Sequence, residues 1–221
     1  MAKNKLRKFA EIEALSNVIE SKYGQLKEDI SLKGKWHAEF FKNENPIVLE
    51  LGCGKGEYSV ALSQRYPKKN FIGVDIKGSR IWKGATDSNN INLKNIAFLR
   101  IRIEHILRCF SKDEISEIWI TFPDPQIKKK RERKRLSHPE FLTKYSQILR
   151  DDGVIHLKTD SLFLYGYTLG IIQAENHELL DCTHDIYGVN QERNDIDIQT
   201  HYEKTFRNKG KSITYTRFRL S

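Results

Sequence analysis

The chain has 221 residues, enough for one ordinary domain with a substantial core. Its 38% hydrophobic and 10% aromatic content supports a globular soluble protein, and 38 Lys+Arg against 29 Asp+Glu leave a net charge of +9. That balance points to an anionic partner, RNA or DNA rather than a membrane surface, although a basic chain also gains solubility alone. The longest uncharged run, 161–174, carries Ser, Tyr, Thr, Gly and Gln and is too short to span a bilayer. The first eight residues are charged rather than apolar, so no leader is expected and a cytoplasmic location follows. Cys53, Cys109 and Cys182 are widely separated and form no Cys-x-x-Cys, so free thiols are expected. No His/Cys cluster has metal-ligand spacing, and no metal is expected.

In chain order, residues 1–45 open with Lys3, Lys5, Arg7 and Lys8. Phe9, Ile12, Leu15, Val18 and Ile19 follow at helical spacing. This stretch is expected to be a basic arm or helix laid against a domain spanning 46–221. From Pro46 onward, strand and helix signals alternate. Strands are expected at 47–52, 71–75, 96–101, 117–122 and 154–159, with helices at 57–65, 79–90, 104–110, 138–149 and 161–175. That alternation predicts an α/β fold with a mostly parallel, doubly wound sheet. Two late strand-like runs, 178–187 and 212–220, lack a clear intervening helix. They predict an antiparallel pair closing one edge of a seven-stranded sheet.

The most informative turn is Glu50-Leu51-Gly52-Cys53-Gly54-Lys55-Gly56, at the end of the first apolar strand. Glycines at alternate positions let the backbone turn tightly and approach a ligand. Asp75 closes the second strand, and an acid there suits ribose hydroxyls. The spacing is neither a dinucleotide fingerprint nor a P-loop. An acid on the strand suits a ligand carrying positive charge, such as the sulfonium and amino groups of S-adenosylmethionine. The same glycines would also serve a sharp turn with no ligand.

A later apolar strand ends in Phe122-Pro123-Asp124-Pro125, which fixes the backbone on both sides of Asp124 in a stiff loop at a strand C-terminus. A plain Pro-rich turn is the alternative. Residues 128–135 then hold seven bases and one acid, a loop expected to stay mobile until it meets a substrate's phosphates. Taken alone, the run is also what a solvated face or a nuclear-localisation patch looks like. Asp160 ends another strand; it reads either as a ligand contact or as the N-cap of the next helix. Residues 190–199 read as a loop over the site, and Thr200-His201-Tyr202-Glu203 taken alone reads as a linker.

Together these stretches are specific. Gly34-Lys35-Trp36, the glycine turn, Phe122-Pro123-Asp124-Pro125 with its basic run, Lys158-Thr159-Asp160 and Thr200-His201-Tyr202-Glu203-Lys204 resemble the ordered motifs of the tRNA (guanine-N7-)-methyltransferases. The resemblance runs from about residue 34 to the end. It implies a Rossmann-like class I methyltransferase that uses S-adenosylmethionine to methylate a variable-loop guanosine of tRNA (expected m7G46), working as a monomer or homodimer. By the resemblance, Glu50, Gly52, Gly54, Gly56 and Asp75 hold the cofactor, and Asp124, the catalytic acid, faces both cofactor and guanine. Lys128, Asp160, Thr200, His201, Tyr202 and Glu203 contact the substrate. Two departures stand out. Gln126 follows Pro-Asp-Pro where many members have Trp. Arg102-Ile103, with Glu104 beside them, occupy the adenine-binding positions where many members have an acid or amide followed by Ala. Backbone and an apolar contact, or Glu104, are the alternatives for holding adenine.

The residue types suit that reaction. Guanine N7 has a free lone pair and no proton, so attack on a methyl group needs positioning more than a strong base. Asp124, Asp160 and Glu203 are the acids placed to follow the moving positive charge. A class I methyltransferase with another substrate, or a non-catalytic RNA-binding module on the same fold, are the competing expectations.

Overall fold

The computed structural model describes residues 2–20, 26–188 and 196–221. The five residues of β2 (Ile47–Leu51) are all buried, and β2 lies inside an eight-stranded sheet of order β1-β4-β3-β2-β5-β6-β8-β7. The other strands are β1 (Val18–Glu20), β3 (Asn70–Val74), β4 (Ile96–Arg100), β5 (Ile115–Thr121), β6 (Leu149–Thr159), β7 (Glu178–Thr183) and β8 (Thr214–Arg219). β1 to β6 pair in parallel, while β8 runs antiparallel to both β6 and β7. Six α-helices accompany them among the described residues: α1 (Ala2–Glu13), α2 (Glu57–Arg65), α3 (Gly78–Asn90), α4 (Pro139–Ser146), α5 (Leu162–Ala174) and α6 (His201–Arg207). None is long and apolar enough to cross a membrane.

The side-chain alternation of β2 sorts the core into two layers. Ile47, Leu49 and Leu51 join one cluster with Trp36, Phe110, Ile118, Ile120 and Phe218. Val48 joins the other with Tyr58, Phe71, Phe98, Trp119 and Tyr215. Glu50 shares the Val48 face, and so does Thr121 by its register two residues after Trp119. The chain order reverses at β2, which has β3 on one side and β5 on the other. Ligands of open α/β sheets bind outside the strand C-termini at such a reversal.

Three expectations about the elements change. The late strands form the expected antiparallel pair, but the first ends at Thr183 rather than 187 and α6 lies between them. The sheet has eight strands rather than seven, because the helical spacing of the N-terminal stretch breaks after Glu13. Val18 and Ile19 instead extend beside β4, paired with Phe98 and Leu99. Asn17 makes the switch: its buried amide donates to the Ala85 carbonyl at 3.1 Å and to Ser88 Oγ at 3.0 Å. The helix expected over 138–149 stops at Ser146, and β6 begins at Leu149, five residues earlier than expected, where Leu149 pairs with Ile115.

The Gly34-Lys35-Trp36 motif is a structural anchor. Trp36 is fully buried, and its indole N–H donates to the Cys109 carbonyl at 2.9 Å. The Glu114 carboxylate accepts backbone N–H bonds from Gly34, Trp36 and Ser111 at 3.0, 3.2 and 2.9 Å. This clamps the segment ahead of β2 against the end of the 103–108 helical turn. Cys53 and Cys109 are buried and Cys182 exposed, all as free thiols.

Candidate active site

A cavity of about 560 Å³ opens at the C-terminal ends of β2, β5 and β6, within the usual size range of a small-molecule site. Its floor is the glycine turn. Gly52, Gly54 and Gly56 all have left-handed backbone, with φ of 77°, 57° and 71°. The alternating pattern is therefore demanded by conformation. The turn is tied to β3: the Gly52 and Cys53 N–H groups donate to the Val74 carbonyl at 2.8 and 3.0 Å. Asp75 locks it from the other side, accepting from the Gly54 N–H at 3.0 Å and the Lys77 N–H at 2.7 Å. A Cβ at Gly52 would meet nothing within 4 Å, leaving the floor open to a ligand, whereas one at Gly56 would strike Phe98 at 2.5 Å. Gly56 thus serves packing of α2 rather than the cavity wall.

Glu50 sits at the bottom of the cavity, 4% exposed. It accepts from the Thr121 hydroxyl at 2.6 Å, from the Ser59 N–H at 2.9 Å and from the Ser59 hydroxyl. Burial pushes its carboxyl up to about 7 against the pull of these hydrogen bonds, with Asp75 adding repulsion. A cation placed over Glu50 would favour the ionised form.

The opposite wall comes from loops. Phe122, Pro123, Asp124, Pro125 and Ile127 follow β5; Asp160 and Ser161 follow β6; Thr200, Tyr202, Phe206 and Lys211 come from α6 and its flanks. Asp124 is exposed, and its Oδ1 accepts the Gln126 N–H at 3.1 Å. Asp160 pairs with Lys211 at 2.5 Å. Phe206 lies 6.0 Å from Phe122 and 6.5 Å from Tyr202, ring centre to ring centre. Lys55, Lys77 and Arg80 complete the lining with positive charge. Among the described residues, no group of three or more His, Cys, Asp or Glu is poised to hold a metal.

The family model described as "Putative methyltransferase" matches residues 44–216. The tRNA (guanine-N(7)-)-methyltransferase of Christiangramia forsetii is 52% identical over 99% of both chains. That of Bacteroides thetaiotaomicron is 48% identical over 100% of this chain and 87% of its own. The chain belongs to the tRNA (guanine-N7-)-methyltransferase family. Solved structures extend the likeness of fold. The 16S rRNA methyltransferase KamB superposes with a TM-score of 0.66 at 13% identity, covering 90% of this chain and 97% of its own. A SAM-dependent methyltransferase from Aquifex aeolicus gives 0.56 at 14% identity, covering 85% and 89%.

Set against the family motifs, the structure gathers Glu50, Gly52, Gly54, Asp124, Asp160, Thr200 and Tyr202 around one cavity. It places others differently. Glu203 is fully buried behind the wall, with Lys158 Nζ 2.9 Å from its Oε2 and the Tyr187 hydroxyl donating to its Oε1 at 2.6 Å. His201 is exposed outside the lining, its backbone N–H held by Glu57 at 2.6 Å. Thr200 is the N-cap of α6, its hydroxyl accepting the Glu203 N–H at 3.3 Å. Ser161, not Asp160, caps α5. Arg102 and Ile103 begin the 103–108 turn beyond β4, away from the cavity lining, and Arg102 pairs with Glu104 at 3.3 Å. Lys128 is exposed next to the cavity-lining Ile127.

The basic run is not a loose loop. Residues 129–134 form a 3-10 helix, and Arg135 beneath it is 4% exposed. Its guanidinium donates to the Gln126 carbonyl at 3.3 Å from two nitrogens, pairs with Glu132 at 3.0 Å and lies over the Phe163 and Tyr167 rings. Six cations of the run stay outward; the seventh is the rivet. Of the expected loop 190–199, residues 190–195 lie outside the described residues. Sequence reasoning missed Ser59 and Thr121 on Glu50, and Lys55, Lys77, Arg80 and Lys211 in the lining. The position of Ser59, two residues into the helix after the glycine turn, was the available signal for the first.

Two outcomes follow. Glu203→Ala should cost about 3–5 kcal/mol in urea unfolding, since it leaves the Lys158 charge buried and unpaired. A destabilisation under about 1 kcal/mol would show that the pair does not hold the wall. Because the Glu50 carboxyl is raised from 4.5 to about 7 on folding, its contribution is fully present below pH 4.5 and lost as pH rises through 7. Glu50→Gln should therefore gain on the unliganded wild type between pH 5 and 8, by at most roughly 3 kcal/mol. Parallel melting curves across that window would contradict the shift.

Proposed function

We propose that this protein transfers a methyl group from S-adenosylmethionine to N7 of a guanosine in tRNA, in the variable loop. The observation that carries the reading is the cavity itself. It faces the glycine turn and Glu50 on one side with Asp124, Asp160 and an aromatic wall on the other, beside an outward basic helix.

The residues present fit the cofactor. Glu50, rigidly hydrogen-bonded, offers negative charge in a buried site. Each oxygen of Asp75 accepts one backbone N–H and retains a lone pair for a ribose hydroxyl. S-adenosylmethionine supplies a methyl group on a positively charged sulfur, and in the transfer the N7–methyl bond forms as the sulfur–methyl bond breaks.

Since N7 carries no proton, no residue of this chain has to act as a strong base. Asp124, projecting from the stiff Pro-Asp-Pro loop, follows the positive charge that develops on the purine. The aromatic wall of Phe122, Phe206 and Tyr202 provides a face for base stacking. Lys128, Lys129, Lys130, Arg131, Arg133 and Lys134 meet phosphates of the tRNA body.

Incubation with labelled cofactor and bulk tRNA, followed by digestion to nucleosides, tests the reaction directly. Asp124→Ala should lower kcat by roughly 100-fold while the melting temperature stays put, because the side chain is exposed. Full retained activity would remove Asp124 from the reaction. Neutralising Lys128, Lys129, Lys130 and Arg131 together should weaken tRNA binding. The slope of log K against log salt should fall by about one for each phosphate that is no longer neutralised. An unchanged slope would mean that tRNA docks elsewhere.

A further inference from the structure

Lys211 was not singled out by any motif, yet it stands at the chemically most specific point of the cavity. Its ammonium is 2.5 Å from Asp160 Oδ2 and 4.9 Å from the centre of the Phe206 ring. Phe206, Phe122 and Tyr202 form the aromatic wall, and all five residues line the same cavity. The carboxylate is largely covered, its side chain 15% exposed, while that of the lysine is 49% exposed. An acceptor that is only an acceptor therefore sits fixed beside a donor that is only a donor, next to a surface suited to a flat ring.

Resting on the proposed guanine reaction, we infer that Asp160 and Lys211 act together as the reader of the Watson–Crick edge, with Lys211 donating to guanine O6 while Asp160 accepts from N1–H and the N2 amino group. Guanine presents one acceptor followed by two donors along that edge. Adenine presents a donor at N6 and an acceptor at N1, which would set its amino group against the ammonium and its N1 lone pair against the carboxylate. An acid–lysine couple thus selects guanine by matching and rejects adenine by like facing like. Reading this edge leaves N7, on the other side of the purine, free to face the methyl donor. In the unliganded protein the two side chains satisfy each other, so neither is left unpaired when no base is present.

The test compares wild type with Lys211→Met on tRNA transcripts carrying guanosine, inosine or 2-aminopurine riboside at the acceptor position. Inosine keeps O6 and N1–H; 2-aminopurine keeps N7 and the 2-amino group but lacks O6. Lys211→Met should lower kcat/KM for guanosine and inosine roughly 10- to 100-fold, the span of a hydrogen bond to a charged group. It should change the slow 2-aminopurine rate by less than about twofold, and the salt slope of tRNA binding should not move. An equal drop on all three substrates, or a slope lowered by about one, would make Lys211 a scaffold or phosphate contact and overturn the inference. So would an unchanged rate on guanosine. Failure of the wild type to form N7-methylguanosine on any tRNA would instead overturn the proposed reaction, and this reading with it.

Discussion

The cavity depends on one buried charge. Lys158, near the end of β6, is fully buried, and removing an ammonium from water costs several kcal/mol unless partners replace the solvent. Here they do: Glu203 lies at 2.9 Å, and the Ile196 and Ile198 carbonyls accept at 2.6 and 3.0 Å. Burial still pulls the lysine below its usual range, and Glu203 pulls it back. These bonds fix residues 196–203 to the end of a central strand. Asp160, two residues past Lys158, and Thr200 and Tyr202, just short of Glu203, are thereby brought to the same cavity. The ion pair is weak evidence for stability as such; its consequence is position.

The distribution of charge then separates two tasks. Within the cavity stand the carboxyl groups of Glu50, Asp124 and Asp160. Outside it, six cations on the 129–134 turn and its N-cap face solvent, and the chain as a whole carries +9. Under the proposed function an anionic polymer would be drawn to the rim, and only its reacting base, which turns cationic, would be matched by the interior. The raised carboxyl of Glu50 belongs to the same design. An acid held near 7 by burial is stabilised when a cation arrives, so the site is relaxed by its ligand rather than strained by it.

Much of this was legible because it depends on local constraints. Apolar runs, alternation of strand and helix, and the glycine turn are written residue by residue, and so is the stiff Pro-Asp-Pro corner. What was not legible depends on distant partners. Nothing near Glu203 says that its carboxylate turns inward to Lys158; a stretch that taken alone reads as a linker is the start of α6, with the Thr200 hydroxyl accepting the Glu203 N–H. Val18 and Ile19 fit a helical stripe as well as a strand, and Asn17 hydrogen bonds to α3 decide between them. Arg135 is the last of a run of bases, and the rings of Phe163 and Tyr167, about thirty residues on, take it out of the run. Lys211 owes its place to Asp160, fifty-one residues earlier.

The Asp124 corner shows how these long-range partners shape the cavity wall. Phe122 and Gln126 flank it with left-handed backbone, φ 47° at each, a conformation that costs a non-glycine residue on the order of 1 kcal/mol. Each is held there by a specific bond. The Phe122 N–H donates to the Lys158 carbonyl at 2.8 Å, and the Gln126 carbonyl is gripped by Arg135 while its N–H is taken by Asp124. One side of the corner is thus fastened to the strand that carries the buried lysine, and the other to the buried arginine that ends the basic helix. Gln126 makes these bonds through its backbone, so they do not depend on its side chain. The cavity-lining acid Asp124 is set in place by the same two cations, Lys158 and Arg135, that the fold has buried.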